Sequence, residues 1–243
     1  MKTHWQDLID AIKENNYKLL SEHILKDDEE VIKAYNSNQN EIFKLRTDIL
    51  PAHYSGNIHQ ARIILLASNP GFVENEMNDF YTADKYIMQR IDDLTFANDS
   101  FPRNDEDRRE KSDYWYKKLQ HLIHDDLESV SKKIALLQFN PYHSIKFREI
   151  PMKYFNSKVK KPYLESQNFG FQILKKCIER GAFIVVLRSK KAWFKAVPEL
   201  IEHEENRMVL TIKNKRNPVL SPKNFEEVDS FEILKNKLNE KNG

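Results

Sequence analysis

Residues 61–72 read ARIILLASNPGF, and this stretch decides the fold. A short run of β-branched and aliphatic residues ends abruptly in Asn69-Pro70-Gly71. An apolar run of this length, bounded by turn formers, is typical of a strand that is buried on both faces of a parallel sheet. We therefore predict a buried strand here, with a loop at its carboxyl end.

The same pattern recurs three times along the chain. Apolar runs pass into polar loops over residues 134–144, 182–193 and 207–222. Helical patterns occupy residues 113–130, 162–180 and 224–240. This alternation predicts an α/β protein, a three-layer α/β/α domain with a central, mostly parallel four-stranded sheet. Because such sheets bind ligands at the carboxyl ends of their strands, we expect the four polar loops to meet on one functional rim.

The N-terminal residues have a different character. Apolar side chains recur at helical spacing from Trp5 to Leu45, which predicts helices over residues 4–47. Turn formers follow, and the first strand comes only after them. We therefore predict an N-terminal helical extension over residues 1–50 and an α/β domain over residues 51–243.

Glycine and cysteine usage excludes several function classes. The 243 residues include five glycines, whereas an average usage of about 7% would give roughly 17. Their positions cannot form the glycine-rich motifs of dinucleotide-binding or P-loop proteins. The single cysteine, Cys177, allows no intrachain disulfide, cysteine-rich zinc site or iron–sulfur cluster. No metal or other cofactor is implied.

Charge and hydropathy set the expected surroundings of the protein. Thirty-nine basic and 37 acidic residues give a net charge of +2, so any basic surface must be local. The apolar runs are far shorter than a membrane span, and the N-terminus lacks the apolar core of a signal peptide. We expect a soluble, cytoplasmic protein with no membrane and no obligate protein partner.

The strand ends resemble, in chain order, those of the uracil-DNA glycosylase superfamily. Ser68-Asn69-Pro70-Gly71 is similar to the first motif of its mismatch-specific and single-strand-selective branches. Asn140 is similar to the asparagine that ends the second strand and reads the base in this family. The sequence NPVLSP at 217–222 resembles the last motif. The resemblance covers roughly residues 58–225 and implies a monofunctional DNA glycosylase.

Such an enzyme must read a base that has left the DNA stack. The amide of Asn140 offers a donor and an acceptor side by side, which suits the hydrogen-bonding edge of uracil or cytosine. The resemblance also favours an aromatic ring shortly after the first motif, to stack on the base. Phe80 is the first choice and Tyr81 the second. His143 is a secondary candidate as an acid or base.

The family motifs also imply roles near the sugar and at C5 of the base. Asn69 would position the attacking water through its amide, where an aspartate could accept a proton. Asn217 would donate a hydrogen bond to the base O2, where negative charge accumulates. Gly71 stands where the uracil-specific branch has a tyrosine that blocks C5. The open side would admit thymine, hydroxymethylated pyrimidines or the glucosylated cytosines of phage DNA.

Clusters of basic residues, predicted to contact DNA, follow the third and fourth strands. Local positive charge of this kind suits phosphate contacts. Val219 and Leu220 would supply the apolar wedge that enters the duplex. Arg188 departs from the family pattern and would narrow the pocket, pair with phosphate or recognise a base substituent. The predicted DNA-binding residues are Lys190, Lys191, Lys213, Lys215, Arg216 and Ser221.

Each of these motifs also has a plainer interpretation. Asn-Pro-Gly is an ordinary turn, Asn140 could cap a helix, His143 could be structural, and lysine runs are usually solvated. Two other functions therefore stay open. One is a non-catalytic nucleic-acid-binding module with the same fold. The other is a defence protein whose glycosylase reaction removes hypermodified cytosines from phage DNA.

Overall fold

Five strands form one sheet in the computed structural model, in the order β1-β3-β2-β4-β5. β2, β4 and β5 pair in parallel, and β1 runs antiparallel to β3. The α/β class with a mostly parallel sheet is confirmed, with one strand more than predicted. The strands are β1 Tyr54–Ser55, β2 Ile63–Ala67, β3 Ile134–Gln138, β4 Phe183–Val186 and β5 Val209–Thr211.

The structure describes residues 3–15, 22–74, 80–102, 114–123, 126–155, 162–227 and 229–240. In these ranges the α-helices are α1 Gln6–Asn15, α2 Lys26–Asn36, α3 Asp84–Leu94, α4 Tyr114–Ile123, α5 Leu127–Ser131, α6 Glu165–Glu179, α7 Lys190–Ala196, α8 Glu199–Glu205 and α9 Ser230–Asn239. None of these helices has the length and apolar character needed to cross a bilayer.

The chain divides into two compact units. The first comprises residues 1–53, 68–97 and 138–172, and the second comprises residues 54–67, 98–137 and 173–243. Residues 1–50, predicted as an extension, therefore share a unit with two later segments. The sheet lies in the second unit, apart from Gln138 at the end of β3.

The strands are buried along their whole length, which explains why their residues are continuously apolar and do not alternate with polar residues. All residues of β2, β3, β4 and β5 are buried. Side chains on one face of β2 join a core with residues from α4 and α9, including Ile63, Leu119 and Leu234. Each such side chain contributes about 1.5–3 kcal/mol by its burial. The carboxyl ends of β2, β4 and β5 consequently lie at one fixed edge of the sheet.

Asp28 organises the first unit from a fully buried position. Its carboxylate accepts hydrogen bonds from the Tyr142 hydroxyl at 2.8 Å and from the backbone N–H groups of Glu165 at 2.7 Å and Ser166 at 3.3 Å. These N–H groups belong to the first turn of α6, where an acceptor with negative charge is favourable. Asp28 therefore joins α2, the loop after β3 and the start of α6.

Gly170 in α6 is explained by a close approach of His53, which is also in the first unit. A Cβ at position 170 would lie 3.0 Å from Cε1 of His53 and closer still to its Nε2. The imidazole is fully buried, so it has little room to move. Glycine has poor helix propensity, but any side chain at position 170 would clash with His53, so the helix keeps glycine here.

Gly170→Ala is expected to lower the free energy of unfolding by about 1–3 kcal/mol, the usual cost of overpacking a core. Urea denaturation measures the change. The matched control is Gly71→Ala, because a Cβ at Gly71 would meet no atom within 4 Å. A wild-type denaturation midpoint for Gly170→Ala would contradict this account of the helix.

Candidate functional site

The loop that follows β3 is a buried support in the first unit. Every residue of 139–144 is buried. The backbone N–H of Arg46 donates to the carbonyl of His143 at 2.8 Å, and that of Ala52 donates to the carbonyl of Pro141 at 2.9 Å. The Ser144 N–H donates to the Pro70 carbonyl at 3.2 Å. The loop therefore holds the residues that follow β2 in place.

Asn69, predicted to lie beside the sugar, has a fixed amide orientation. Its Nδ2 donates to the Pro70 carbonyl at 2.9 Å, the Ser144 carbonyl at 3.2 Å and the Ser144 Oγ at 2.8 Å. The Ser144 hydroxyl itself donates to the Lys146 carbonyl at 3.1 Å, so its oxygen is free to accept. Because all three partners are acceptors, the amide cannot be flipped. Its Oδ1 receives no hydrogen bond from any described residue and remains available as an acceptor.

The surroundings of Gly71 are open, and the aromatic residues beyond it take different positions. Tyr81 is buried, and its hydroxyl donates to the Gly71 carbonyl at 3.3 Å. Phe80 is 41% exposed, with its ring centroid 5.1 Å from that of Tyr81 and 4.9 Å from that of Tyr86. Since a stacked base needs an accessible ring, Phe80 is the better candidate and Tyr81 is a packing residue.

Asn140, predicted to read the base, is 1% exposed. Its Oδ1 accepts a hydrogen bond from the Tyr142 backbone N–H at 3.0 Å, and its own N–H donates to the Ser68 carbonyl at 2.8 Å. This is a local turn of the kind that asparagine commonly makes. The amide can therefore meet a base only if its buried surroundings open, and its oxygen serves a turn and not the helix cap of the plainer interpretation, since no described helix begins here.

His143 is buried beside the same aromatic residues. Its Nε2 lies 3.0 Å from the Tyr86 hydroxyl, and its ring centroid lies 5.5 Å from that of Tyr81. Burial, together with the nearby positive charges of Arg90 and Arg46, lowers the pKa of His143 to about 3, against the opposing effect of Asp48. The imidazole is therefore neutral at pH 7, so His143 is not present as an imidazolium acid.

The lowered pKa of His143 predicts acid sensitivity. The unfolded chain binds a proton near pH 6.5 that the native imidazole does not bind until about pH 3. Stability from this group is therefore present above pH 6.5 and is lost as the pH falls towards 3. Between pH 7 and pH 5 the free energy of unfolding should fall by about 2 kcal/mol from this residue.

Urea denaturation at several pH values measures this slope. His143→Gln should remove its share of the slope, and His121→Gln, on an exposed position of α4, is the control. His53, with a pKa lowered to about 3, and His23, lowered to about 4, both by burial, should leave a residual slope. An unchanged slope in His143→Gln would show that the residue titrates normally in the native state.

The second unit holds Arg188 and the loop after β5. Arg188 Nε donates to the Lys215 carbonyl at 2.9 Å, and its Nη2 donates to the Arg216 carbonyl at 3.2 Å and to the Tyr114 hydroxyl at 3.2 Å. These bonds give Arg188 a role that none of the three interpretations of the sequence included. It holds the loop of residues 213–217 in shape.

The same loop presents Asn217. Its Oδ1 accepts a hydrogen bond from Lys118 Nζ, which leaves Nδ2 as the outward group of an exposed side chain. The backbone N–H groups of Arg216 and Asn217 donate to Asn214 Oδ1 at 3.2 and 3.1 Å. The loop is therefore internally ordered, and the Nδ2 of Asn217 has no acceptor among the described residues.

The predicted DNA-binding residues differ in their exposure and in whether their charge is already paired. Lys190 pairs with Glu204 at 2.6 Å, so part of its charge is already balanced. Ser221 is half-buried, and its N–H donates to the Val219 carbonyl at 3.1 Å. Leu220 is fully buried in the core, so its prediction as a wedge is wrong, because the core already takes up its apolar surface. Lys191, Lys213, Lys215 and Arg216 are exposed.

The predicted site residues are divided between the two units. The first unit holds Asn69, Gly71, Phe80, Tyr81, Asn140 and His143, and the second holds Lys190, Lys191, Arg188, Lys213, Lys215, Arg216, Asn217 and Ser221. Sequence reasoning missed Ser144 and Lys118, which orient the amides of Asn69 and Asn217. The serine of Asn140-Pro141-Tyr142-His143-Ser144 was a visible signal, whereas Lys118 lies in an ordinary helical pattern.

Comparison with known proteins assigns no family and no function to the chain. No protein-family model, no curated protein and no solved structure matches the chain. Among the described residues, no three His, Cys, Asp or Glu side chains are grouped so as to hold a metal ion.

Proposed function

We propose that the protein is a cytoplasmic, monofunctional DNA glycosylase that hydrolyses the N-glycosidic bond of a flipped pyrimidine, uracil or a base substituted at C5. The observation that carries this proposal is the amide of Asn69. Three acceptors hold its Nδ2, and Oδ1 is left as an acceptor. An acceptor that is oriented before substrate arrives is what positions a water molecule for attack.

The proposed reaction is a displacement at C1′ of the sugar. Asn69 Oδ1 accepts a hydrogen bond from water, and the water oxygen forms a bond to C1′. The bond between C1′ and the base nitrogen breaks, and its electron pair passes to the base, with charge on O2. The water proton is released to solvent. The role of Asn217 at O2 stays a prediction from the sequence, since Asn217 lies in the second unit.

Two features of the first unit support a substituted pyrimidine. Gly71 is exposed, and a Cβ there would have no neighbour within 4 Å, so the backbone leaves room beside it. Phe80 presents an accessible ring. The proposal covers both repair of a damaged base and removal of a hypermodified base in defence against phage, because the two differ only in the base.

The second candidate is a nucleic-acid-binding module without catalysis. Asn140 favours it, because its amide is 1% exposed and so is not open to a base. In this alternative the exposed basic loop of residues 213–217 would bind nucleic acid and no bond would break.

Strand cleavage distinguishes the two candidates. Oligonucleotides carrying uracil, thymine opposite guanine, 5-hydroxymethyluracil or glucosylated hydroxymethylcytosine are incubated with the protein and then treated with alkali, which cuts at abasic sites. The glycosylase proposal predicts cleavage of at least one of the four substrates, and the open side at Gly71 predicts that a C5-substituted base is among those cleaved. Binding of all four substrates without cleavage would support the non-catalytic module and contradict the enzyme.

A further inference from the structure

A cluster of the second unit combines two cations around one aromatic ring. We call it the Tyr114 cluster, formed by Tyr114, Lys118, Arg188 and Asn217. Lys118 Nζ lies 4.7 Å from the centroid of the Tyr114 ring, one helical turn away on α4. Arg188 Nη2 lies 3.2 Å from the hydroxyl of the same ring. Two positive charges therefore lie close to one tyrosine side chain.

No carboxylate among the described residues balances these charges. Other lysines of this unit have an acidic partner, such as Lys175 with Glu199 at 2.6 Å and Lys190 with Glu204 at 2.6 Å. Lys118 and Arg188 form no such pair with any residue that the structure describes. Partial burial and the charges of Arg188 and Lys117 lower the pKa of Lys118. An anion placed here would relieve this repulsion.

The cluster also holds unused donors that are already oriented. Arg188 uses Nε and Nη2 for the Lys215 and Arg216 carbonyls and Tyr114, so its Nη1 has no partner among the described residues. Lys118 donates to Asn217 Oδ1, which leaves further N–H groups on Lys118. Because these bonds order the side chains beforehand, binding an anion costs little additional side-chain entropy.

We propose that the Tyr114 cluster binds one phosphate group of a nucleic-acid strand, with Lys118 as its principal contact. A phosphate group offers several oxygen acceptors to these donors. A strand is favoured over a lone anion because Lys213, Lys215 and Arg216 are exposed on the adjoining loop and extend the positive charge. The inference rests on the part of the proposed function that makes nucleic acid the partner. It does not depend on base excision.

Salt dependence of binding tests the contact. Binding of a fluorescein-labelled, unmodified single-stranded oligonucleotide of about 20 nucleotides is followed by anisotropy between about 50 and 200 mM KCl. Lys118→Gln should reduce the slope of log K against log salt by about 0.7, the value for one lost contact to a single strand. At about 50 mM the same relation gives roughly eightfold weaker binding. Lys118→Arg keeps the charge and should restore most of the slope.

Lys235→Gln is the matched control. Lys235 also lies one helical turn from an aromatic ring, 5.9 Å from the centroid of Phe231, but it pairs with Glu232 at 3.7 Å. Its substitution should leave affinity and slope at wild-type values. A wild-type slope in Lys118→Gln would overturn the assigned contact. So would an equal loss of affinity in Lys118→Gln and Lys235→Gln.

Inorganic phosphate separates a strand from a small anion. About 1 mM phosphate should not raise the melting temperature beyond chloride of equal ionic strength. A phosphate-specific rise that Lys118→Gln abolishes, without oligonucleotide binding, would overturn the nucleic-acid assignment. The oligonucleotide carries no modified base, so failure of the phosphate contact says nothing about base excision. Likewise, an absence of base excision says nothing about the phosphate contact.

Discussion

Asn69→Ala is expected to reduce the rate of base release by about 100-fold or more, while DNA affinity changes by less than about threefold. The loss follows because removing one preorganised polar group from a developing transition state typically costs a factor of about 10² to 10³. Affinity should persist because Asn69 is assigned to the attacking water and not to phosphate. Single-turnover rates and anisotropy, measured on the same preparation, separate the two effects.

Asn69→Asp is a second test of the role assigned to the Asn69 amide. From the sequence alone, an aspartate here would be the stronger group, since it could accept a proton. In the structure, a carboxylate oxygen would replace the Nδ2 that faces the Pro70 carbonyl at 2.9 Å and the Ser144 carbonyl at 3.2 Å. Oxygen against oxygen repels, so the variant should also be slow. Full activity in Asn69→Ala would contradict the proposed mechanism.

Ser144→Ala is the graded control for Asn69. It removes the 2.8 Å acceptor Oγ but leaves the two backbone carbonyls that hold the same Nδ2. The amide should keep its orientation, and the rate should fall by about tenfold or less, the scale of one neutral hydrogen bond. A Ser144→Ala loss as large as that of Asn69→Ala would mean that Ser144 itself acts on the substrate.

Asp28→Ala is expected to lower the free energy of unfolding by about 3 kcal/mol or more. The change leaves the Tyr142 hydroxyl and the N–H groups of Glu165 and Ser166 without their acceptor. Each buried donor without a partner costs about 1–3 kcal/mol. For a chain of this size the melting temperature should fall by roughly 6–12 °C.

Asp27→Ala is the matched control for Asp28, because Asp27 is the preceding residue of the same helical turn but is exposed. Its effect should stay within about 0.5 kcal/mol. Denaturant unfolding of both variants measures the difference. Equal stability of the two variants would show that the buried carboxylate does not organise α6.

The sequence predicted the main strands because burial on both faces imposes continuous apolar runs. β2 at Ile63–Ala67 and β4 at Phe183–Val186 follow directly from such runs. β1 was missed because its two residues, Tyr54–Ser55, lie among turn formers and carry no period of their own. The apolar spacing over residues 4–47 predicted helices where α1 and α2 lie, but nothing local showed that Asp28 is buried and caps a different helix.

The candidate site could be predicted in position more than in detail. Asn69 and Asn217 were singled out because the motifs that contain them follow apolar strands and resemble known family motifs. Their hydrogen-bond partners come from residues 75 and 99 positions away, Ser144 and Lys118, so no local pattern reveals them. The prediction of Leu220 as a wedge failed for the same reason, since only the tertiary fold shows that its side chain is in the core.

The most direct test of the account is the release of free base. Wild-type protein and Asn69→Ala are each incubated with DNA containing 5-hydroxymethyluracil, uracil or glucosylated hydroxymethylcytosine, and the free bases and abasic sites are quantified by mass spectrometry. The account predicts that wild-type protein releases at least one C5-substituted base together with an equal amount of abasic sites, and that Asn69→Ala releases almost none. DNA binding without release of any base by the wild-type protein would contradict the central claim.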